Sequence, residues 1–262
     1  MDTYFEEKAT YTQISFRYAK GKSISEGNEI HPYYEILFYI DGNATFLSEN
    51  FKEELKPNAL LIIPKEHYHN LHIKNQERYT RFVINFPDMD ILEELLPRAI
   101  SQIKIIKNIN NNIYHILNRM CTVIQSKKKD NLSVFLYGLF LTLLSEICMD
   151  EKNAVSPLQR ENQDLISRCL QFIDDNFSTD ISIKDIAKEM NVSVSTLFHC
   201  FKKEMHISLH KYLIEKRMIF AHKLIQEGKN PTKIYLDCGY HDYSAFYKAY
   251  VKTFKRTPSN NK

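Results

Sequence analysis

The chain has 262 residues, of which 44% are apolar and 26% charged, with a formal charge of +3, which is ordinary for a soluble globular protein long enough for two domains. The start lacks the basic-then-apolar pattern of a signal peptide, and the five cysteines form no CxxC pair or metal-ligand spacing, so reduced core thiols and a cytoplasmic location are expected. Residues 164–262 carry 16 Lys and Arg against 11 Asp and Glu, whereas residues 1–163 carry 19 against 21, so the basic excess sits at the C-terminal end, as a polyanionic partner would require.

Residues 1–90 read as β. Glu35–Ile40 is an aromatic and β-branched run that stops at the turn signal Asp41-Gly42-Asn43. Ala59–Ile63 lies between Pro57-Asn58 and Pro64, and Tyr79–Phe86 is closed by Pro87. Short strands separated by turn residues suggest a sandwich or small barrel. Residues 91–150 change period. Leu132, Leu136, Leu139, Leu143 and Ile147 fall on one helical face, which either packs on the β domain or forms a dimer seam with a second copy. The run Leu132–Met149 is broken by Ser133, Ser145 and Glu146, so a buried helix is preferred over a membrane span. Residues 151–163 are polar, aperiodic and contain Pro157, and read as a linker.

Residues 164–262 read as helices. Leu165–Asn176 is amphipathic, and Ser182 followed by Asp185 forms a capping-box pattern. A long helix over Ser208–Glu227 ends at Gly228, and Asn230-Pro231 offers an N-cap with proline in the first helical position. Between these, Ile183–Lys203 has the layout of a helix-turn-helix. Ile186, Ala187 and Met190 face inward, Asn191-Val192-Ser193 makes the turn, and Leu197, Cys200 and Phe201 anchor the second helix. The layout returns over Ile234–Lys252: Ile234, Gly239 and Tyr240 stand 48 residues after Ile186, Asn191 and Val192, and Phe246 and Tyr250 stand 49 after Leu197 and Phe201. Recurrence of a whole pattern is stronger evidence than either copy.

The stretch Ile186-Ala187…Phe201-Lys202-Lys203…Tyr212-Leu213…Arg217…Ala221…Leu224-Ile225…Ile234…Gly239-Tyr240…Phe246…Tyr250…Phe254…Pro258 resembles the DNA-binding domain of the AraC-type (arabinose-regulator) transcription factors. The resemblance implies two recognition helices held by the long helix and entering successive major grooves of double-stranded DNA, about 34 Å apart. It assigns base reading to Ser195, Phe198 and His199 in the first helix-turn-helix and to Tyr243, Ser244 and Lys248 in the second, with Lys202, Lys203 and Lys252 at phosphates. The family usually has Arg at the positions of His199 and Lys248, a Gly and a Pro at those of His206 and Leu209, a Gly at Lys255 and a small residue at Tyr235.

His31-Pro-Tyr-Tyr-Glu35, followed by six residues and Gly42, resembles the first cupin motif, and Pro64-Lys-Glu-His67-Tyr-His69-Asn70 the second. The expected fold is therefore α+β: a cupin-like β-barrel with helices, then an all-α domain of two helix-turn-helix units joined by a long helix. Ligand-binding residues are expected at His31, Tyr33, Glu35, Phe38 and His69, in a sensor for a small-molecule effector such as a sugar. His31, Glu35 and His69 could form a facial metal set, but hydrogen bonding within the barrel or contact with an effector is the preferred reading, with no cofactor and no resident metal. A metal-dependent cupin enzyme fused to a DNA-binding module and a ligand-independent regulator are the rivals. No hydrolase elbow or P-loop is present among just six glycines, so no enzyme is expected. The remaining partners expected are a second copy of the chain and, for an activator, RNA polymerase.

Overall fold

A computed structural model describes residues 4–21, 30–49, 52–89, 103–126, 130–149 and 165–259. The stretch read as a linker, 151–163, lies outside the described residues, as does all of 91–102. Backbone proximity divides the chain into two compact units, Met1–Leu47 with Phe51–Leu158 and Ser48–Asn50 with Gln159–Lys262.

The N-terminal unit is an antiparallel sheet covered by two helices. Its strands are β1 (Phe5–Tyr11), β2 (Ile14–Lys20), β3 (Tyr34–Ser48), β4 (Lys52–Glu54), β5 (Ala59–Ile63), β6 (His69–Phe86) and β7 (Lys104–Ile106). They are arranged β1-β2-β6-β3-β5-β7, with β4 paired to β3. Because side chains alternate across a strand, the sheet has two apolar faces. Phe16, Ile36, Phe38, Ile62, Phe82, Ile84 and Phe86 face helices α1 (Asn111–Ile124) and α2 (Leu132–Met149). Leu37, Tyr39, Phe46, Leu61, Ile63, Tyr79 and Val83 form a second cluster on the opposite face.

One sequence expectation changes here. The Asp41-Gly42-Asn43 signal is no reverse turn, because β3 runs through it to Ser48. Gly42 sits at φ +137°, and a Cβ there would lie 3.1 Å from the Tyr79 Cα and 3.0 Å from the Tyr39 hydroxyl. The glycine admits the backbone of β6 at a bend in β3. The leucine stripe packs on the β domain, one of its two expected roles: Leu132, Leu136, Leu143 and Ile147 are buried in the unit's own core and Leu139 packs against it. By length and composition α2 could cross a membrane, yet this buried face marks it as a core helix.

The C-terminal unit holds α3 (Leu165–Asn176), α4 (Ile183–Glu189), α5 (Val194–Met205), α6 (Leu209–Gln226), the single turn α7 (Pro231–Ile234) and α8 (Tyr243–Phe254). Four of the starts are explained locally here. Ser182 and Asp185 close a reciprocal capping box on α4, Ser193 accepts the Thr196 amide, Ser208 accepts that of Lys211, and Asn230 caps a helix with proline in its first turn. The long helix stops at Gly228, φ +82°. Met218, Ala221, Leu224 and Ile225 of α6 bury Ile234, Cys238, Phe246 and Tyr250 in one apolar cluster. All five cysteines are free, and burial pushes the thiols of Cys121, Cys169 and Cys238 up to about 12, where they are inert.

Candidate nucleic-acid interface and ligand site

The recurrence seen in the sequence extends to individual hydrogen bonds. In the first helix-turn-helix the amides of Met190, Asn191 and Val192 donate to the carbonyls of Ile186, Lys188 and Ala187. In the second, the amides of Cys238, Gly239 and Tyr240 donate to Ile234, Leu236 and Tyr235, the same pattern shifted by 48. Asn191 and Gly239 both take the left-handed conformation this turn needs, at φ +55° and +73°. After the turn the shift becomes 49: Ser193 caps α5 through the Thr196 amide, and Asp242 caps α8 through that of Ala245. The α5 and α8 helices each end in a left-handed residue, His206 at φ +56° and Lys255 at φ +55°.

This backbone turns one face of each second helix inward and the other to solvent. Leu197, Phe201, Phe246 and Tyr250 are buried. Ser195, Phe198, His199, Lys202 and Lys203 on α5 are exposed, as are Ser244, Lys248 and Lys252 on α8. Tyr243 is only partly exposed, since its ring packs against Tyr235, Phe246 and Tyr247. The sequence reading omitted Tyr247. It stands 49 residues after Phe198, and both are exposed large side chains, at 36% and 39%. The repeat offset alone would have found it.

The N-terminal unit gathers four of the five ligand residues expected of it. His31, Glu35 and His69 are buried, and the Tyr33 ring stacks on His31 with centroids 4.0 Å apart. Phe46 stacks on His69 at 6.1 Å and completes an aromatic wall. Phe38 does not join them. It lies three residues from Glu35, hence on the opposite face of β3, where it meets the edge of Tyr114 on α1.

His31 Nδ1 lies 2.7 Å from the Tyr33 carbonyl and His69 Nδ1 3.1 Å from that of His67. A carbonyl only accepts, so each Nδ1 carries a proton, and each Nε2 is a lone pair when the ring is neutral and a donor toward Glu35 when it is protonated. His31 Nε2 is 3.5 Å from Glu35 Oε2, and one ligand atom from each of His31, Glu35 and His69 falls within 4.8 Å of the others. Burial, with His31 nearby, pushes His69 down to about 4. Burial alone would raise the Glu35 pKa, but a hydrogen bond from His31 and the charge His69 carries when protonated outweigh it and hold the carboxyl below its usual range. Two imidazole lone pairs and a carboxylate, with rings fixed by backbone carbonyls, are a donor set that fits a first-row divalent metal.

Two family models match the chain: "Helix-turn-helix domain" over residues 186–261 and "AraC-like ligand binding domain" over residues 16–137. Among curated proteins, the Msm operon regulatory protein of Streptococcus mutans is 23% identical, covering 91% of this chain and 87% of its own. The raffinose operon transcriptional regulatory protein RafR of Pediococcus pentosaceus is 24% identical, covering 89% and 86%. The lactose operon transcription activator of Staphylococcus xylosus is 28% identical over 56% of this chain and 54% of its own.

Proposed function

The chain belongs to the AraC-type family of transcription regulators, joining an AraC-like ligand binding domain to a helix-turn-helix domain, and from that premise we propose that it reads an operator with α5 and α8 under control of a small saccharide held beside His31, Glu35, Phe46 and His69. The observation that carries the DNA reading is the hydrogen-bond repeat, which leaves both second helices with one face exposed. A helix so presented fits a major groove, with Ser195, Phe198 and His199 in one half-site and Ser244, Tyr247 and Lys248 in the other. Lys202, Lys203 and Lys252 then serve phosphates. The regulator works in the cytoplasm, where the DNA is.

A saccharide suits a site with an aromatic wall and a buried carboxylate, and two relatives are named for raffinose and lactose operons. A ligand that binds one arrangement of the protein more tightly than another shifts DNA occupancy by that difference in affinity. The test is selection of duplexes from a random pool by the full chain, repeated with and without a panel of mono- and disaccharides. An enriched motif of two half-sites about one helical turn apart supports the reading, and no enrichment overturns it. A saccharide that moves neither DNA binding nor the melting temperature, across the whole panel, overturns the effector class alone.

The convergence of three acceptor atoms favours a second reading, in which a divalent cation occupies His31, Glu35 and His69. Such an ion would supply a Lewis-acidic anchor for a ligand's oxygen atoms. Metal analysis of the purified chain decides it: a stoichiometric first-row metal, lost in His31→Ala and His69→Ala, supports the ion, and a metal-free protein that takes up none on dialysis overturns it.

A further inference from the structure

Arg217 stands near the middle of α6, between the residues that pack on the first helix-turn-helix and those that bury the second. On the N-terminal side Tyr212 meets Phe201 of α5, with ring centroids 5.5 Å apart. On the C-terminal side Met218 opens the cluster that encloses Phe246 and Tyr250 of α8. The guanidinium itself faces neither core. Its Nε donates to the Phe177 carbonyl at 2.8 Å, and its Nη2 to the carbonyls of Thr179 and Ile181 at 2.9 and 3.2 Å. Those three carbonyls line the connection that leads from α3 into α4, the first helix of the first helix-turn-helix. The same guanidinium carbon lies 5.7 Å from the centroid of the Tyr240 ring, in the turn of the second. Gly239 beside it has no room for a side chain: a Cβ would fall 2.6 Å from the Thr179 oxygen and 2.8 Å from Arg217 Nε and Nη2. A contact between His241 Nε2 and Asp180 Oδ1, at 2.7 Å, crosses the same seam at the surface.

We propose that Arg217 is a positioning residue for operator recognition: it locks the turn of the second helix-turn-helix against the entry to the first and thereby fixes which separation of half-sites the protein accepts. A long helix alone holds two modules at a distance but leaves the rotational setting of each to its own packing. A planar fork shared by three backbone carbonyls on one side and an aromatic face on the other ties the two settings together. Base pairs advance the groove by roughly a tenth of a turn each, so a rotational error between the helices shows as a changed tolerance for spacing. Arg217 touches no DNA in this scheme. It acts through the geometry of α5 and α8.

The inference rests on the two-helix DNA reading above, and its test separates the two. A duplex selected by the wild-type full chain is remade with one base pair inserted between the half-sites, and each half-site is also made alone. Wild type, Arg217→Met and Arg217→Lys are then measured on all four by anisotropy, with far-ultraviolet dichroism as the check of folding. Two modules held in register gain affinity over one, and lose that gain when geometry forbids joint engagement. The wild type should lose about ten-fold or more on the insertion. Arg217→Met should lose about ten-fold on the intact duplex, be nearly indifferent to the insertion, and match wild type on each half-site alone. If the methionine variant does not fold, Arg217→Lys, which keeps the charge without the fork, is read by the same criteria. A folded variant that keeps the sharp spacing penalty overturns the proposal. So does a loss of equal size on single half-sites, which would make Arg217 a part of each module's own stability. A wild-type chain that selects no duplex overturns the DNA reading, and this inference with it.

Discussion

The two helix-turn-helix units share a backbone and differ in almost everything they attach to it. Their turns make the same three amide-to-carbonyl hydrogen bonds at a shift of 48, and their second helices share a cap, a buried pair and a left-handed end at a shift of 49. The first opens with the seven-residue α4 under a full capping box, whereas the second opens with the single turn α7 and continues through hydrogen-bonded turns. Ala187 in the first corresponds to Tyr235 in the second, and Asn191 to Gly239. What repeats is therefore what packing and backbone satisfaction demand. What varies is the face offered outward, His199 against Lys248 and Phe198 against Tyr247, and the way each turn meets its surroundings.

The largest effect should break the apparent equivalence of the turns. Asn191→Ala places an ordinary residue at φ +55° and should cost about 1–2 kcal/mol. Gly239→Ala adds to that conformational cost a Cβ 2.6 Å from a backbone oxygen, so overpacking should bring the loss to about 3 kcal/mol or more. Denaturant unfolding of the two full-length variants measures this directly. Equal losses would mean that the second turn relaxes freely, and that it is not seated against Thr179.

Base reading should sharpen the comparison at the level of single base pairs. His199→Ala should cost about 1–3 kcal/mol of discrimination at one position of its half-site, and Lys248→Ala should do the same only in the other half-site. Neither should change the salt dependence as Lys202→Ala with Lys203→Ala does, where each lost phosphate contact lowers the slope by about 0.9. Selection by each variant, followed by a salt series, tests both. A lysine cannot make the bidentate contact of an arginine, so the Lys248 effect should be the smaller of the two if His199 makes a directed hydrogen bond.

Acidification should separate the units next. His222 lies buried behind the second, its Nδ1 2.8 Å from the Tyr250 hydroxyl and its Nε2 3.3 Å from Arg256 Nη2. Burial, then the nearby Arg256 charge, pushes it down to about 4. The first unit's His199 and His206 are exposed. A histidine whose pKa is lower folded than unfolded contributes fully above pH 6.5, and that stability is lost as the pH falls from 6.5 toward about 4. Melting of the full chain at pH 7.5 and pH 5 should therefore show a fall of order 1 kcal/mol that shrinks in His222→Gln. His69 titrates in the same window within the N-terminal unit and is held constant in that comparison.

How much of this was legible in the sequence follows the range of the interactions. The C-terminal helices were read nearly residue by residue, because caps at Ser182, Ser193, Ser208 and Asn230 and apolar spacing at three and four are local signals. The β1–β2 hairpin was missed. Its turn places Thr12 at φ +51° without Gly, Asn or Pro to announce it. Gly42 was misread for the opposite reason, since a turn dipeptide in sequence serves a close approach of β6 that only the fold reveals. In the ligand site, His31, Glu35 and His69 were placed by motif, and the error at Phe38 was avoidable: three residues along a strand change the face.

The smallest effect concerns the ends of α5 and α8, where the structure puts His206 and Lys255 at φ +56° and +55°. A residue with a Cβ costs about 1 kcal/mol in this conformation, and glycine avoids that cost at the price of a freer unfolded chain. Both helices close in the same way, the His206 amide on the Lys202 carbonyl and the Lys255 amide on that of Val251, so the backbone gives no reason for the substitutions to differ. The side chains do. Histidine is several-fold enriched among residues that take this conformation, so His206 bears less strain there than Lys255. Lys255→Gly should then raise the melting temperature of the full chain by a few degrees, and His206→Gly by less or not at all. Should both variants gain equally, the His206 side chain contributes nothing, and the two ends are as alike in energy as they are in geometry. Should neither gain, the left-handed ends carry no strain here, and the family's usual glycines are matters of chain entropy alone.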